Sequence, residues 1–165
     1  MDLKRIFKHL SLPQWRIGLA FPKRVLHAIE QAIAASEKNH DAELRFAVEA
    51  GLPLAALLRG QTARQRAVGV FAQLRVWDTE HNSGVLIYVQ LVDRKVELLA
   101  DRGINARVPQ EEWNAICHRL EQRYRKGEFE QGTLAAIGEI TAHLARHFPP
   151  GEANPDELPN RPVTL

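Results

Sequence analysis

The chain predicts an α/β fold: an α/β/α sandwich in which a central mixed β-sheet carries helices on both faces, preceded by an N-terminal helical arm. Three observations predict it. Residues 85–92 (VLIYVQLV) form a nearly continuous apolar run, the pattern of a central strand covered on both faces. A helical segment separates that run from an earlier alternating strand, so the pair forms a βαβ crossover and runs parallel within one sheet. A tight turn at Asp93-Arg94 then returns the chain as an antiparallel neighbour, which makes the sheet mixed.

The elements follow in order. Leu3, Ile6, Phe7 and Leu10 recur at i, i+3, i+4, i+7 with Lys4, Arg5 and Lys8 on the other faces, a short basic amphipathic helix. Pro22 opens a second helix over about 23–38, with Leu26, Ile29 and Ile33 as its apolar stripe. Residues 43–50 (ELRFAVEA) alternate, with Leu44, Phe46 and Val48 on one face and Glu43, Arg45 and Glu49 on the other, which reads as a strand. Residues 54–58 add one helical turn. Thr62 and Gln65 match a capping box, whose side chains satisfy each other's backbone donors, and start a helix over about 63–75. Residues 76–84 (VWDTEHNSG) read as a polar loop, with Trp77 as a lid over the core. After the strands 85–92 and 95–101, Pro109 sets the first turn of a helix to about 125, where its missing N–H is harmless. A last helix over about 128–147 presents Leu134, Ile137, Ile140 and Leu144 and stops at Phe148-Pro149-Pro150. The organisation is therefore an arm (1–39), a domain (40–149) and a proline-rich, apolar-poor tail (150–165) expected to be disordered.

With 165 residues, the chain fits one domain and can bury a real core. One cysteine, Cys117, excludes an intramolecular disulfide framework and any multi-cysteine zinc site; it falls on an apolar helical stripe and reads as a small buried hydrophobe. No apolar run approaches the roughly 18 residues that span a bilayer, and no signal-peptide core is evident, so the expected location is cytoplasmic, peripheral to the membrane if the arm touches it. The net charge of +2 is unevenly placed. Residues 1–27 carry six basic groups against Asp2, whereas residues 28–150 carry 15 basic and 16 acidic groups. The nearly neutral domain argues against nucleic acid as a partner. The basic arm either docks on its own domain or meets a protein partner or an anionic membrane surface, near which each basic residue adds about 1 kcal/mol.

Connectivity alone brings three strand ends together. A two-residue turn pairs 92 with 95, hence 86 with 101 and 84 with 103. The starts of strands one and two and the end of strand three then share one sheet edge. That edge gathers His40, Asp41, Glu43, Asp78, Glu80, His81, Asn82 and Asp101, with Arg102 beside them. Hard divalent cations take carboxylate and amide oxygens, so Asp41, Glu43, Asp78, Asn82 and Asp101 are the candidate metal ligands, for calcium or magnesium. Asp and Asn also populate such loops because they cap and turn. Asp101 is expected to approach the 78–84 loop. His40, Asp41 and His81 are acid–base groups without an evident serine or cysteine nucleophile beside them. His143 and His147 share a helix face but lack the HExxH glutamate, and His147 sits where a histidine favours the helix dipole. Arg59, Arg64, Arg66 and Arg75 flank the crossover helix and suit phosphate or an acidic partner, but read first as a solvated face. No phosphate loop, dinucleotide fingerprint or nucleophile elbow occurs, so no organic cofactor is expected.

Residues 41–49 (DAELRFAVE), 76–89 (VWDTEHNSGVLIYV) and 96–104 (VELLADRGI), the spacing Gly127-x-Phe129-x-x-Gly132 and the terminal Phe148-Pro149 together resemble the TPM domain family, over about residues 40–149. The resemblance implies an α/β/α sandwich about a mixed sheet. It also implies two functional themes, since a plant member is described as an acid phosphatase and some members bind calcium. The short length and the arm are similar to a bacterial subgroup. Asp78, Asn82, Gly84, Asp101, Arg102 and Gly103 are the family-like loop positions. Two functions are thus in play. One is an accessory or binding module that takes a cation or partner at the rim. The other is a metal-assisted phosphomonoester hydrolase, in which Asp78 or Asp101 holds the metal or acts as base and Arg102 neutralises developing phosphoryl charge. The missing nucleophile favours the first.

Overall fold

The computed structural model describes residues 3–11, 15–151 and 156–165. The elements are α1 (Leu3–Ser11), α2 (Trp15–Ala20), α3 (Lys23–Ser36, continued by a 3-10 turn over Glu37–Asn39), β1 (Glu43–Glu49), α4 (Leu54–Leu58), α5 (Ala63–Gln73), β2 (Gly84–Gln90), β3 (Lys95–Ala100), α6 (Arg102–Asn105), α7 (Gln110–Arg125), α8 (Phe129–His147) and β4 (Val163–Thr164). They build one mixed sheet in the order β3-β2-β1-β4. The crossover through α5 makes β1 and β2 parallel, and the hairpin makes β2 and β3 antiparallel. The predicted α/β sandwich, mixed sheet and arm are all present.

The sheet divides the interior into two cores. On one face Leu44, Phe46, Val48, Val85, Ile87 and Leu98 meet Ile29 and Ile33 of α3, Trp113, Ile116 and Leu120 of α7, and Ile137, Ile140 and Leu144 of α8. Each such side chain, fully buried, contributes about 1.5–3 kcal/mol. On the other face Ala47, Leu86, Tyr88 and Leu99 meet Ala67 and Val70 of α5. The α5 start is held by the predicted capping box: Gln65 N–H donates to Thr62 Oγ1 (3.2 Å) and Thr62 N–H donates to Gln65 Oε1 (3.0 Å).

Four expectations need correction. The hairpin turn spans Leu91–Arg94 and not two residues, so Gln90 pairs with Lys95 and Val85 with Ala100, a slip of two from the expected register. Glu43, Arg45 and Glu49 are not a solvated face; all seven β1 residues are buried, because α5 and the C-terminal segment cover that side. The tail does not run free over 156–165: β4 adds to the exposed edge of β1 and Leu158 is buried, removing an unpaired strand edge. Trp77 is no lid, being half exposed.

The arm is docked on its own domain. Asp93, beyond β2, accepts from Arg5 Nε (3.0 Å) and Nη2 (2.8 Å), and His9 Nε2 lies 3.0 Å from its other oxygen. Ile6 packs against the cluster of Leu52, Ala56 and Leu57, whereas Phe7 is exposed. The side chains of Leu3 and Leu10, the rest of the expected stripe, lie outside the described residues. Among the described residues no helix is long and apolar enough to cross a membrane.

A candidate acidic site at the sheet edge

The predicted convergence of three chain segments is present. Asp101 N–H donates to Gly84 O (2.8 Å) and Gly103 N–H to Asn82 O (3.1 Å), stitching the end of β3 to the loop before β2. Two glycines permit this approach. A Cβ on Gly84 would stand 1.8 Å from Val76 O, and one on Gly103 would stand 2.6 Å from His81 O. Asn82, at φ 53°, supplies the left-handed backbone that this residue type tolerates. Arg102 Nε donates to Asn82 Oδ1 (2.8 Å), and Asp101 Oδ1 accepts from Arg102 N–H (2.7 Å) at the start of α6. Asp101 Oδ2 is buried without a hydrogen-bond partner among the described residues.

The remaining candidates are distributed around that stitch. Asp41 lies 4.0 Å from His81 and donates its N–H to Phe148 O. Asp78 is exposed and lies 3.9 Å from Arg75. His40 does not reach the rim: it is fully buried, 2.8 Å from Ser36 Oγ, and burial pushes its pKa down. Glu43 points under the C-terminal segment, where Oε2 accepts from Leu158 N–H (3.0 Å).

Glu43 there joins two acids that the strand pattern did not reveal. Ligand atoms of Glu37, Glu43 and Asp156 lie within 4.8 Å of one another, and this is the group of three so arranged among the described residues. Glu37 Oε1 accepts from Leu44 N–H (3.0 Å). Burial, reinforced by Glu43 and Asp156, pushes the Glu37 carboxyl up to about 8. Burial likewise raises Glu43. Arg45, on the same side of β1, is only 6% exposed; its Nε and Nη1 find no hydrogen-bond partner among the described residues. Burial lowers its pKa, and the carboxylates of Glu37 and Glu43, when ionised, oppose that shift through space. Glu157 ties this cluster to the rim by accepting Glu80 N–H (3.0 Å).

One signal for Glu37 was available: an acid in the last turn of a helix opposes the helix dipole, so it needs a reason to be there. Asp156 was hidden by the expectation of a disordered tail. The arginines beside α5 are also engaged. Arg66 forms a bidentate pair with Glu49, which in turn accepts the Tyr88 hydroxyl (2.5 Å), and Arg64 donates to Leu98 O. Cys117 packs against the core, and burial pushes its thiol up to about 12, which makes it inert. His143 is paired with Glu112 at 2.7 Å.

No curated protein matches this chain. Among solved structures, the chain is similar to the NMR structure of BA42 protein from the psychrophilic bacterium Bizionia argentinensis, with a TM-score of 0.76 and 30% identity over 86% of this chain and 93% of that one. The TPM domain family model matches residues 21–143, which takes in the stitched edge and all the packed helices from α3 to most of α8. The chain belongs to the TPM domain family.

Proposed function

We propose that this chain is a cation-binding accessory module that takes calcium or magnesium at the acidic edge where β1 begins. The observation that carries the reading is the gathering of Glu37, Glu43 and Asp156 within 4.8 Å under partial burial. Three carboxylates so close repel one another, and a proton or a hard cation relieves the repulsion. Oxygen donors suit calcium and magnesium and disfavour softer metals. Arg45 offsets one of the three charges, leaving a net of about −2 when all are ionised, which matches one divalent ion. Asp41, Asp78 and Asp101 lie along the same sheet edge outside this group of three and add to the negative potential there, with Asn82 beside Asp101 through Arg102.

The test is a melting series with added calcium or magnesium. An ion bound only by the folded chain at a hundred times its Kd adds about 2.7 kcal/mol, or roughly 5–10 °C for a chain of this size. Glu43→Gln should abolish the rise. No shift at millimolar metal removes the cation from the account. A phosphatase is the second reading, favoured by one observation: Arg102 is held by Asn82 beside the unpaired Asp101 oxygen. Aryl phosphate hydrolysis that vanishes in Asp101→Asn would establish it, and hydrolysis that persists in the variant would dismiss Asp101 from that role.

A further inference from the structure

A second site lies at the other end of the sheet, beyond the carboxyl end of β2, where ligands of open α/β sheets commonly bind. From Gly84 to Gln90 is six strand steps, about 20 Å from the acidic edge. A cavity of about 300 Å³ opens there, within the size range of small-molecule sites. Its floor is aromatic: Tyr124 and Phe129 have ring centroids 5.1 Å apart, and the Tyr124 hydroxyl is committed to Thr133 Oγ1 (2.6 Å). Leu19, 70% exposed, forms an apolar wall. Three arginines line the same cavity, Arg16 from α2, Arg94 from the hairpin turn and Arg125 from the end of α7. None of them has an ion pair or side-chain hydrogen bond among the described residues, and no acidic residue lines the cavity. Gln90, the remaining polar lining group, is already used by Asp93 N–H and His9.

Three guanidinium groups, unpaired among the described residues, around an apolar floor define a ligand with two parts. We propose that this cavity binds an acid-headed amphiphile, its phosphate or carboxylate on the arginines and its alkyl chain against Leu19, Tyr124 and Phe129. Guanidinium forks match both oxyanions. The inference is independent of the cation reading, since no residue is shared between the two sites.

The experiment follows backbone amide shifts during titration with octyl phosphate, with inorganic phosphate and octyl glucoside supplying head and tail alone. Octyl phosphate should produce saturable shifts around Val89–Leu91 and Tyr124–Phe129 and bind at least tenfold more tightly than either half. Arg94→Glu with Arg125→Glu should weaken it tenfold or more. Both side chains are exposed, and an unchanged melting curve verifies the fold; should that variant unfold, Leu19→Glu is read the same way. Octyl phosphate that binds no better than inorganic phosphate, or equally in the variant, overturns the proposal. Sedimentation with phosphatidylglycerol vesicles, against phosphatidylcholine vesicles, then distinguishes the source. Arginine-dependent vesicle binding identifies a bilayer lipid, and octyl phosphate binding without it identifies a free amphiphile; both support the shared chemistry.

Discussion

Replacing Asp93 by alanine should release the arm from the domain, and the magnitude can be worked from the contacts. His9 Nδ1 accepts Leu52 N–H at 2.9 Å, so its hydrogen resides on Nε2 and is donated to Asp93. The His9 side chain has no exposure, so losing that acceptor strands a buried donor at a cost of about 1–3 kcal/mol. Arg5 is 24% exposed, and water takes over much of its two lost bonds, leaving about 0.5–1 kcal/mol. The sum is about 1.5–4 kcal/mol, or roughly 3–16 °C in melting temperature. Asp93→Asn keeps an acceptor for His9 and should lose about 1 kcal/mol. Burial on its own would raise the Asp93 carboxyl, but the hydrogen bonds from Arg5 and His9 and the charge of Arg5 outweigh it and hold the carboxyl below its ordinary value. The clasp is therefore fully present above about pH 4 and is lost as pH falls through the lower folded value, so the deficit of the alanine variant should shrink in acid. Urea denaturation at neutral and acid pH measures both. A loss under about 0.5 kcal/mol for alanine, or a deficit unchanged in acid, refutes the clasp.

Three further outcomes follow from the packing. Glu37 is protonated in the folded chain up to about pH 8 but ionised in the unfolded chain above about 4.5, so metal-free stability should fall as pH rises through that window. One proton sets a limit of about 1.4 kcal/mol per pH unit; partial exposure and Arg45 cut it to about half, and urea denaturation across the window should find Glu37→Gln flat. Glu49→Ala should cost about 3–5 kcal/mol, measured by denaturant midpoint, because it leaves Arg66 and the Tyr88 hydroxyl without their buried partner. Gly84→Ala drives a Cβ into Val76 O and should destabilise by more than about 3 kcal/mol, read from the same midpoint, whereas alanine at the open Gly138 in α8 should be neutral or stabilising.

The parts of the fold legible beforehand were those that periodicity and connectivity constrain. The crossover required β1 and β2 to be parallel, and the hairpin required β3 to return. The register slipped by two because the turn holds four residues, but a slip of two preserves which face each side chain meets. Asp101 still meets the 78–84 loop because the observed register sets it opposite Gly84, whose carbonyl accepts its N–H. The alternation of Glu43, Arg45 and Glu49 misled because it reports polarity and not exposure. Here α5 and the C-terminal segment cover the polar side, and charged partners such as Arg66 make its burial tolerable. Leu158, Val163 and Leu165 pack against the second core, a long-range match that the proline content of the tail concealed. With the tail went Asp156, and with Asp156 the acidic group around Glu43.

The cation site is tested most directly by titrating the full chain with calcium at about pH 8, where Glu37 begins to surrender its proton, and following amide shifts. The account predicts saturable shifts at Glu37, Glu43, Leu44 and Asp156–Leu158 that vanish in Glu43→Gln. Shifts absent at millimolar calcium, or unchanged in that variant, would contradict it.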